Sequence, residues 1–555
     1  MSPAHKASSK HRPRAERDPS IVHLGTGHFG RAHLAVLADR VGRRIIAVSP
    51  KSSDLRHQLE PFGFEYDVIT RYSDPSIAGG VGVSSERVRS IADVLIAPED
   101  PAAVVEAIAR PDTKLVTLTI TQNGYYYNPA LGLAVDHDDV VQCLQAELPN
   151  TAIGMVAHGL HRRFEAGLDP VVVMSLDNIV DNGDCLRLAV ISYVEHRKDT
   201  PVQGHEWGDN TAFLDWLRSR VLFPNTMVDR IVETTSESHC EWLANYDPEL
   251  ASRNPWPVFT EPMPMHPLII SGHGDHPVLR EFTKVGAELV DGVTQHAMMK
   301  IRILNGAHVA LGMLGRLRGY NFTAEAMADP IVHAFIAGFL DEAIPTVALN
   351  TSANAGLSPQ ALRKYGDEVL QRLTNTAMAD SLERLARNGY EKLPERILDP
   401  LTDTFAHGLP NDHLLMSVGL WTLYLEAHRA ERFNILDPVA VGAGLTSQQL
   451  PDELYSNAGA FLSQVAPARR LRTDTKLTEA FRRVIGAAGP NQIVDQLQAG
   501  LNSARILTGP FGRSGIGGGS GFEATVQPAT VHLGTQQYFR TAPRRLSNSE
   551  GLGWR

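Results

Sequence analysis

Two short stretches of this chain carry residue types and spacings that point to chemistry. One is Gly25-Thr26-Gly27-His28-Phe29-Gly30, a GxGxxG pattern. Where such a run joins a strand to a helix, the first glycine permits the tight turn and the second lets backbone approach a pyrophosphate. The third lets helix and strand pack closely, so nucleotide binding is the chemistry to expect. The other is Lys300-Ile301-Arg302-Ile303-Leu304-Asn305-Gly306-Ala307-His308. On an α-helix at about 100° per residue, Asn305 lies about 140° and His308 about 80° from Lys300, with Arg302 pointing the opposite way. Lys300 and His308 are then about 12 Å apart along the axis, a gap narrowed by the backward lean of helical side chains. An ammonium, an amide and an imidazole on one face of an apolar helix need partners there, and burial lowers a lysine pKa toward that of a general base. The pattern alone also suits packing in a helical core.

These stretches need elements to hold them. Ile21–Leu24 is expected as a strand before the glycine run, Arg31–Asp39 as the helix after it, and Arg44–Val48 as the next strand. Leu115–Thr121 and Pro170–Leu176 read as further strands of a parallel α/β sheet. From about residue 295 the texture turns helical, with apolar residues near a 3.6 period over Met298–Gly315, Met327–Ile344, Ser358–Leu373 and His413–Ala430. Thr475–Leu497 looks similar, though Gly486, Gly489 and Pro490 break it. The expected fold is an N-terminal Rossmann-type α/β domain with a parallel sheet, followed by a mainly α-helical C-terminal domain. The expected boundaries are a disordered tail at 1–19, a dinucleotide-binding domain at 20–296, a helical substrate domain at 297–505 and a Gly-rich flexible tail at 506–555.

Composition narrows the functional classes. The 555 residues are 43% hydrophobic and 21% charged, which suits several globular domains. A net charge of −10 argues against nucleic acid or anionic membrane as the main partner. No uninterrupted apolar run reaches about 18 residues, so no membrane span is expected. Cys143, Cys185 and Cys240 show no CxxC spacing, which fits a reducing, cytoplasmic compartment. No long apolar heptad argues for obligate assembly, so a monomer is expected.

An NAD site usually has an acid about 20 residues after the glycine run. Here the second strand ends Ala47-Val48-Ser49-Pro50-Lys51, with no acid before Asp54. Lys51 instead suits a 2′-phosphate or simple solvation, so NAD and NADP both stay open. His266, His273, Asp275 and His276 match no metal-ligand spacing. His158, His161, Arg162 and Arg163 read as a solvated helix face, and Asp177 as a residue that holds the neighbouring Asn178 amide or caps a local turn.

Five motifs in order resemble the mannitol dehydrogenase family of polyol-specific long-chain dehydrogenases. GxGxFxRAH stands as Gly25 to His33, and the SCDN…NG motif as Ser175-Leu176-Asp177-Asn178…Asn182-Gly183. FPxTMVDRI stands as Phe223 to Ile231, KxRxLNxxH as Lys300 to His308, and a DxxxR…K pattern as Asp380, Arg384 and Lys392. The resemblance covers about residues 20–500. It implies zinc-independent hydride transfer between a nicotinamide cofactor, NAD or NADP, and a polyol–ketose pair of the mannitol/fructose type. It implies Lys300 as general base, Asn178 and Asn305 as the oxyanion pair, and His308 as a substrate-orienting residue. Asp229 is then a substrate or network contact, Arg384 and Lys392 substrate-hydroxyl contacts, and Gly25, Gly27, Phe29, Gly30 and Arg31 the cofactor turn. A hexuronate (mannonate or altronate) reductase and a D-arabinitol dehydrogenase are alternatives within the class, which makes a sugar acid a second substrate type. Two departures motivate a third alternative, a catalytically weakened nucleotide- or sugar-binding sensor. Gln122 and Ala297 stand where the family often has carboxylates.

Overall fold

Short runs of β-branched and other apolar residues build the central sheet. In the computed structural model these are Ile21–Leu24 (β1), Ile45–Ser49 (β2), Ile91–Ile96 (β3), Leu115–Leu118 (β4) and Val172–Ser175 (β5). All neighbours pair in parallel, in the order β3-β2-β1-β4-β5. The structure describes residues 18–429 apart from 78–79, 129–131, 199–206, 208–209, 255, 352–356 and 388. The expectations for the first 17 residues, Thr475–Leu497 and 506–555 lie outside the described residues.

Successive side chains of a strand point to opposite faces, and the two faces have separate cores. Val22, Leu24, Ile46, Val48, Val116 and Leu118 pack with residues of Pro101–Ala109, Ala152–Glu165 and Asn182–Lys198. Ile21, Ile45, Ala47 and Leu115 pack on the other face with His28–Ala32 (α1) and Leu34–Arg40 (α2). Burial on both faces is why these strands read as apolar runs without alternation. The winding reverses between β1 and β4, and such a switch point opens a crevice beyond the carboxyl ends of the strands. Gly25 and Thr119 follow those two strands directly.

The structure corrects several local expectations. The helix expected from Arg31 begins at His28, inside the glycine run, and breaks at His33. There the imidazole stacks on Phe29 at 4.9 Å and its Nε2 meets the Pro267 carbonyl at 2.7 Å, a long-range partner that bends the chain. His158 and His161 are not a solvated face. His158 meets the Tyr193 hydroxyl at 3.2 Å, and His161 stacks on Trp207 at 4.4 Å. Arg163 is buried and donates to the carbonyls of Ile108, Arg110 and Asp169. Two further three-stranded sheets accompany the parallel one, Val258–Thr260 with Tyr66–Ser73 and Val81–Val88, and Thr226–Val228 with Leu268–Ser271 and Ala287–Val290.

From Thr294 the described chain is helical. Thr294–Met299 (α3) runs into a π-helical segment, Lys300–Asn305, and then Gly306–Leu317 (α4). The expected Met327–Ile344 helix is two, Thr323–Met327 and Pro330–Leu349 (α5), because Asp329 caps a new start that Pro330 begins. Pro359–Leu373 (α6) starts from Ser358, whose hydroxyl accepts the Ala361 N–H. Leu382–Ala386 (α7) and Asp412–Arg429 (α8) complete the core. By length and composition α5 is apolar enough to cross a bilayer, unlike the sequence expectation, yet 67% of that window is buried inside the protein.

Candidate active site

The glycine turn is shaped by what surrounds it. Gly25 has φ +90°, and a Cβ there would lie 2.1 Å from the Thr119 carbonyl oxygen. A Cβ on Gly30 would lie 2.5 Å from Nε2 of His23, a ring buried on β1 and held by Thr117 at 2.9 Å. Burial pushes the His23 pKa down to about 4, so this ring is a neutral spacer. A Cβ on Gly27 would meet nothing within 4 Å, because that glycine faces the cleft.

The lysine helix reaches the same cleft by a different device. The Gly306 N–H donates to the Ile301 carbonyl, five residues back. Residues five apart lie roughly one turn apart in a π-helix. Lys300 and Asn305 therefore share a face without the about 140° offset that α-geometry imposes. The close approach that permits this needs glycine, since a Cβ on Gly306 would lie 2.8 Å from the Arg396 carbonyl and 2.9 Å from the Phe339 ring.

Between them lies a cavity of about 660 Å³. Of the residues expected at the site, Gly25, Gly27, Phe29, Gly30, Asn178, Asp229, Lys300, Asn305, His308 and Arg384 line it. Three do not. Arg31 is buried behind α1, with its guanidinium 5.8 Å from the Tyr66 ring. Lys51 is exposed on the turn after β2. Lys392 donates to the carbonyls of Arg384 and Leu385 at 3.3 and 3.2 Å, so it braces the end of α7 rather than the cavity.

Lys300 Nζ donates to Asn178 Oδ1 at 3.2 Å and to the Val228 carbonyl. Burial lowers its pKa from 10.5 to about 8, opposed by the charge of Asp229 and helped by Arg372 and Arg396. The Asn178 oxygen is thus occupied, which leaves its NH₂ for a ligand. Asn305 Nδ2 and His308 Nε2 are buried and have no hydrogen-bond partner among the described residues. Burial, with Arg384 nearby, holds the His308 pKa well below its ordinary value, so the ring is neutral. A buried donor left unmade is costly, and these atoms lie where a substrate oxygen would satisfy them.

Asp229 is buried and spoken for. Arg372 grips it with Nη1 at 2.7 Å and Nη2 at 3.0 Å, and the Tyr365 hydroxyl donates to it at 3.2 Å. The same guanidinium bonds Glu261 at 2.6 and 2.9 Å. Arg372, Glu261 and Tyr365 were invisible to sequence reasoning, because Tyr365 and Arg372 on α6 belong to no motif and no local spacing joins them to Glu261, about a hundred residues earlier. Asp177 does not hold the Asn178 amide. Its carboxylate accepts the Ile120 and Thr121 N–H groups at 3.1 and 2.9 Å and the Tyr125 hydroxyl at 2.8 Å. It thereby braces the cavity wall at Thr121, a β-branched residue at φ 62°, ψ 165°. Arg384, on the opposite wall, is fixed by Asp380 at 2.6 Å. Gln122 lines the cavity, whereas Ala297 is buried among Met227, Ile269 and Val293. His266 pairs with Glu288 at 2.6 Å, and no cluster of three or more His, Cys, Asp or Glu positioned for a metal occurs among the described residues.

A parallel sheet whose switch point faces a buried lysine and unpartnered amide donors is the layout of a dinucleotide-dependent oxidoreductase. Comparison with known proteins is specific. The profile of the mannitol dehydrogenase Rossmann domain matches residues 19–264, and that of the mannitol dehydrogenase C-terminal domain matches residues 292–473. The chain is 31% identical over 443 residues to mannitol 2-dehydrogenase of Pyrenophora tritici-repentis, covering 76% of this chain and 72% of that one. It is 30% identical over 452 residues to the Aspergillus fumigatus enzyme of the same name, covering 78% and 84%. Among solved structures, Pseudomonas fluorescens mannitol 2-dehydrogenase, in a ternary complex with NAD and D-mannitol, superposes with a TM-score of 0.69. That match has 27% identity and covers 88% of this chain and 95% of that one. A D-sorbitol dehydrogenase, at 24% identity and a TM-score of 0.64, shares the fold. The chain belongs to the mannitol dehydrogenase family.

Proposed function

We propose that the chain is an NAD-dependent polyol dehydrogenase that interconverts a secondary alcohol and a ketone, with D-mannitol and D-fructose as the substrate pair. The observation that carries this is the placement of Lys300 beside Asn178 at the switch point, with the unpartnered Asn305 amide one π-turn away. The relatives' names and the solved complex with NAD and D-mannitol support the choice of cofactor and substrate.

The residues present fit a dinucleotide. Gly27 leaves open space where backbone meets a pyrophosphate, and Gly25 and Gly30 clear the turn. When bound, the nicotinamide supplies the acceptor for the substrate's hydride. Everything else falls to this chain. Lys300, held at a pKa of about 8, takes the hydroxyl proton on Nζ. The amide NH₂ groups of Asn178 and Asn305 donate to the oxygen as it gains negative charge. The neutral His308 ring and Arg384 orient the remaining hydroxyls. The chain is proposed to act as a monomer, since its sequence carries no long apolar heptad. Three free cysteines support a reducing, cytoplasmic setting.

The test is nicotinamide absorbance with mannitol, arabinitol, sorbitol, mannonate and altronate, each with NAD and with NADP. Turnover of mannitol with NAD is expected. Cofactor binding without turnover of any substrate would overturn the assignment in favour of a sensor.

A further inference from the structure

Arg372, on α6, is the one cation bonded to both buried carboxylates near Lys300 among the described residues. We infer that Arg372 and Glu261 are positioning residues for the reaction: as a charge clamp, they lock Asp229 in place and set the net charge that Lys300 faces.

The geometry carries this. The guanidinium makes four hydrogen bonds of 2.6 to 3.0 Å, two to each acid. Glu261 also accepts the Ile231 N–H at 2.7 Å, so the clamp ties the backbone after Asp229 to the strand that ends at Thr260. Buried carboxylates cost stability unless paired. Two acids and one guanidinium leave one negative charge, which the Lys300 ammonium balances. Loss of the Lys300 proton therefore leaves the cluster negative, and its charge count governs how readily that proton leaves.

The other groups facing Lys300 keep the same charge in every variant below, so they do not alter the direction of a shift. Arg396, from Pro394–Leu398, adds a constant positive charge. His33, at the α1–α2 junction, and His308, on the lysine helix itself, are both neutral because they are buried. Tyr365 is neutral, since burial raises its pKa well above the ordinary value. Glu368, partly buried, lies 4.0 Å from Arg372, accepts the Met265 N–H and stays unchanged in every variant below.

The inference rests on Lys300 being the base. The experiment is the pH profile of kcat/KM for polyol oxidation with NAD. Glu261→Gln keeps shape and acceptor oxygen but removes a negative charge, so the midpoint should fall by on the order of one pH unit. Arg372→Met should move it the opposite way. The double variant Glu261→Gln/Arg372→Met removes one charge of each sign and should return toward the wild-type midpoint. A clamp with only a packing role lowers stability and moves no midpoint. An unmoved midpoint in an active Glu261→Gln enzyme overturns the inference, and that variant decides alone if Arg372→Met does not fold. Lys300→Met separates the two readings. If the pH step survives in Lys300→Met, the base assignment is wrong. If the step is lost there while Glu261→Gln leaves the midpoint unmoved, only the clamp fails.

Discussion

The glycine turn and the lysine helix face each other across one cavity, yet they are built on different principles. The turn works by removing atoms. Gly25 and Gly30 exist where a Cβ would strike Thr119 or His23, and Gly27 leaves room for a ligand. The helix works by burying polar groups. Lys300, Asn305 and His308 are each at most 8% exposed, and their properties come from what distant elements place beside them. A site of the first kind is tuned by shape, and one of the second kind by charge and desolvation.

The largest expected effect falls on the helix. Lys300→Ala should lower kcat for oxidation by about 10²–10⁴-fold while cofactor affinity, measured by fluorescence titration, stays intact. In the wild-type enzyme, oxidation should rise with pH and level off above about 8, because only the neutral amine accepts a proton. Normal turnover in Lys300→Ala would break the contrast between the two regions. Next comes Asn305→Ala, which removes one donor to the developing oxyanion and should reduce kcat about 10²–10³-fold, with a smaller change in KM. Single-turnover measurement distinguishes this loss from slow product release.

Gly306→Ala tests the π-helix. The added methyl would press on the Arg396 carbonyl and the Phe339 ring, so thermal unfolding should show a loss of about 1–3 kcal/mol. An unchanged Tm with full activity would mean that the close approach at Gly306 is unimportant. The mildest effect belongs to the turn. Gly27→Ala meets no protein atom within 4 Å, so stability should hold while the KM for NAD rises about tenfold, equivalent to about 1.4 kcal/mol. Gly25→Ala, at φ +90° and against Thr119, should lose stability as well. Equal Tm values for the two alanine variants would break the distinction drawn between those glycines.

The same division explains what could be read from the sequence. The strand from Ile21, the glycine run and the second strand are consecutive, so their spacing carries their geometry. The residue types of Lys300, Asn305 and His308 were legible too, but not how they meet. The π-helical segment depends on Gly306 fitting under Arg396 and Phe339, contacts made by residues far along the chain. Glu261, Tyr365 and Arg372 carry no motif, and only the packing of α6 against the α/β half brings Tyr365 and Arg372 to Asp229 and Glu261. Arg31 and Lys392 belong to motifs, yet α1 turns one behind the cleft and α7 uses the other as a backbone brace. Motif membership marks a residue as part of the site's construction and leaves open whether it touches the ligand.

Thr121 has a mechanical consequence. Its backbone occupies a region that costs a side-chain-bearing residue about 1–3 kcal/mol. The Asp177 carboxylate keeps it there. This wall of the cavity is therefore a cocked spring, with the Asp177 carboxylate as its side-chain catch. Cutting the catch, as in Asp177→Ala, would let the loop recoil to a relaxed shape of its own, whereas Thr121→Gly would keep the shape and take out the tension.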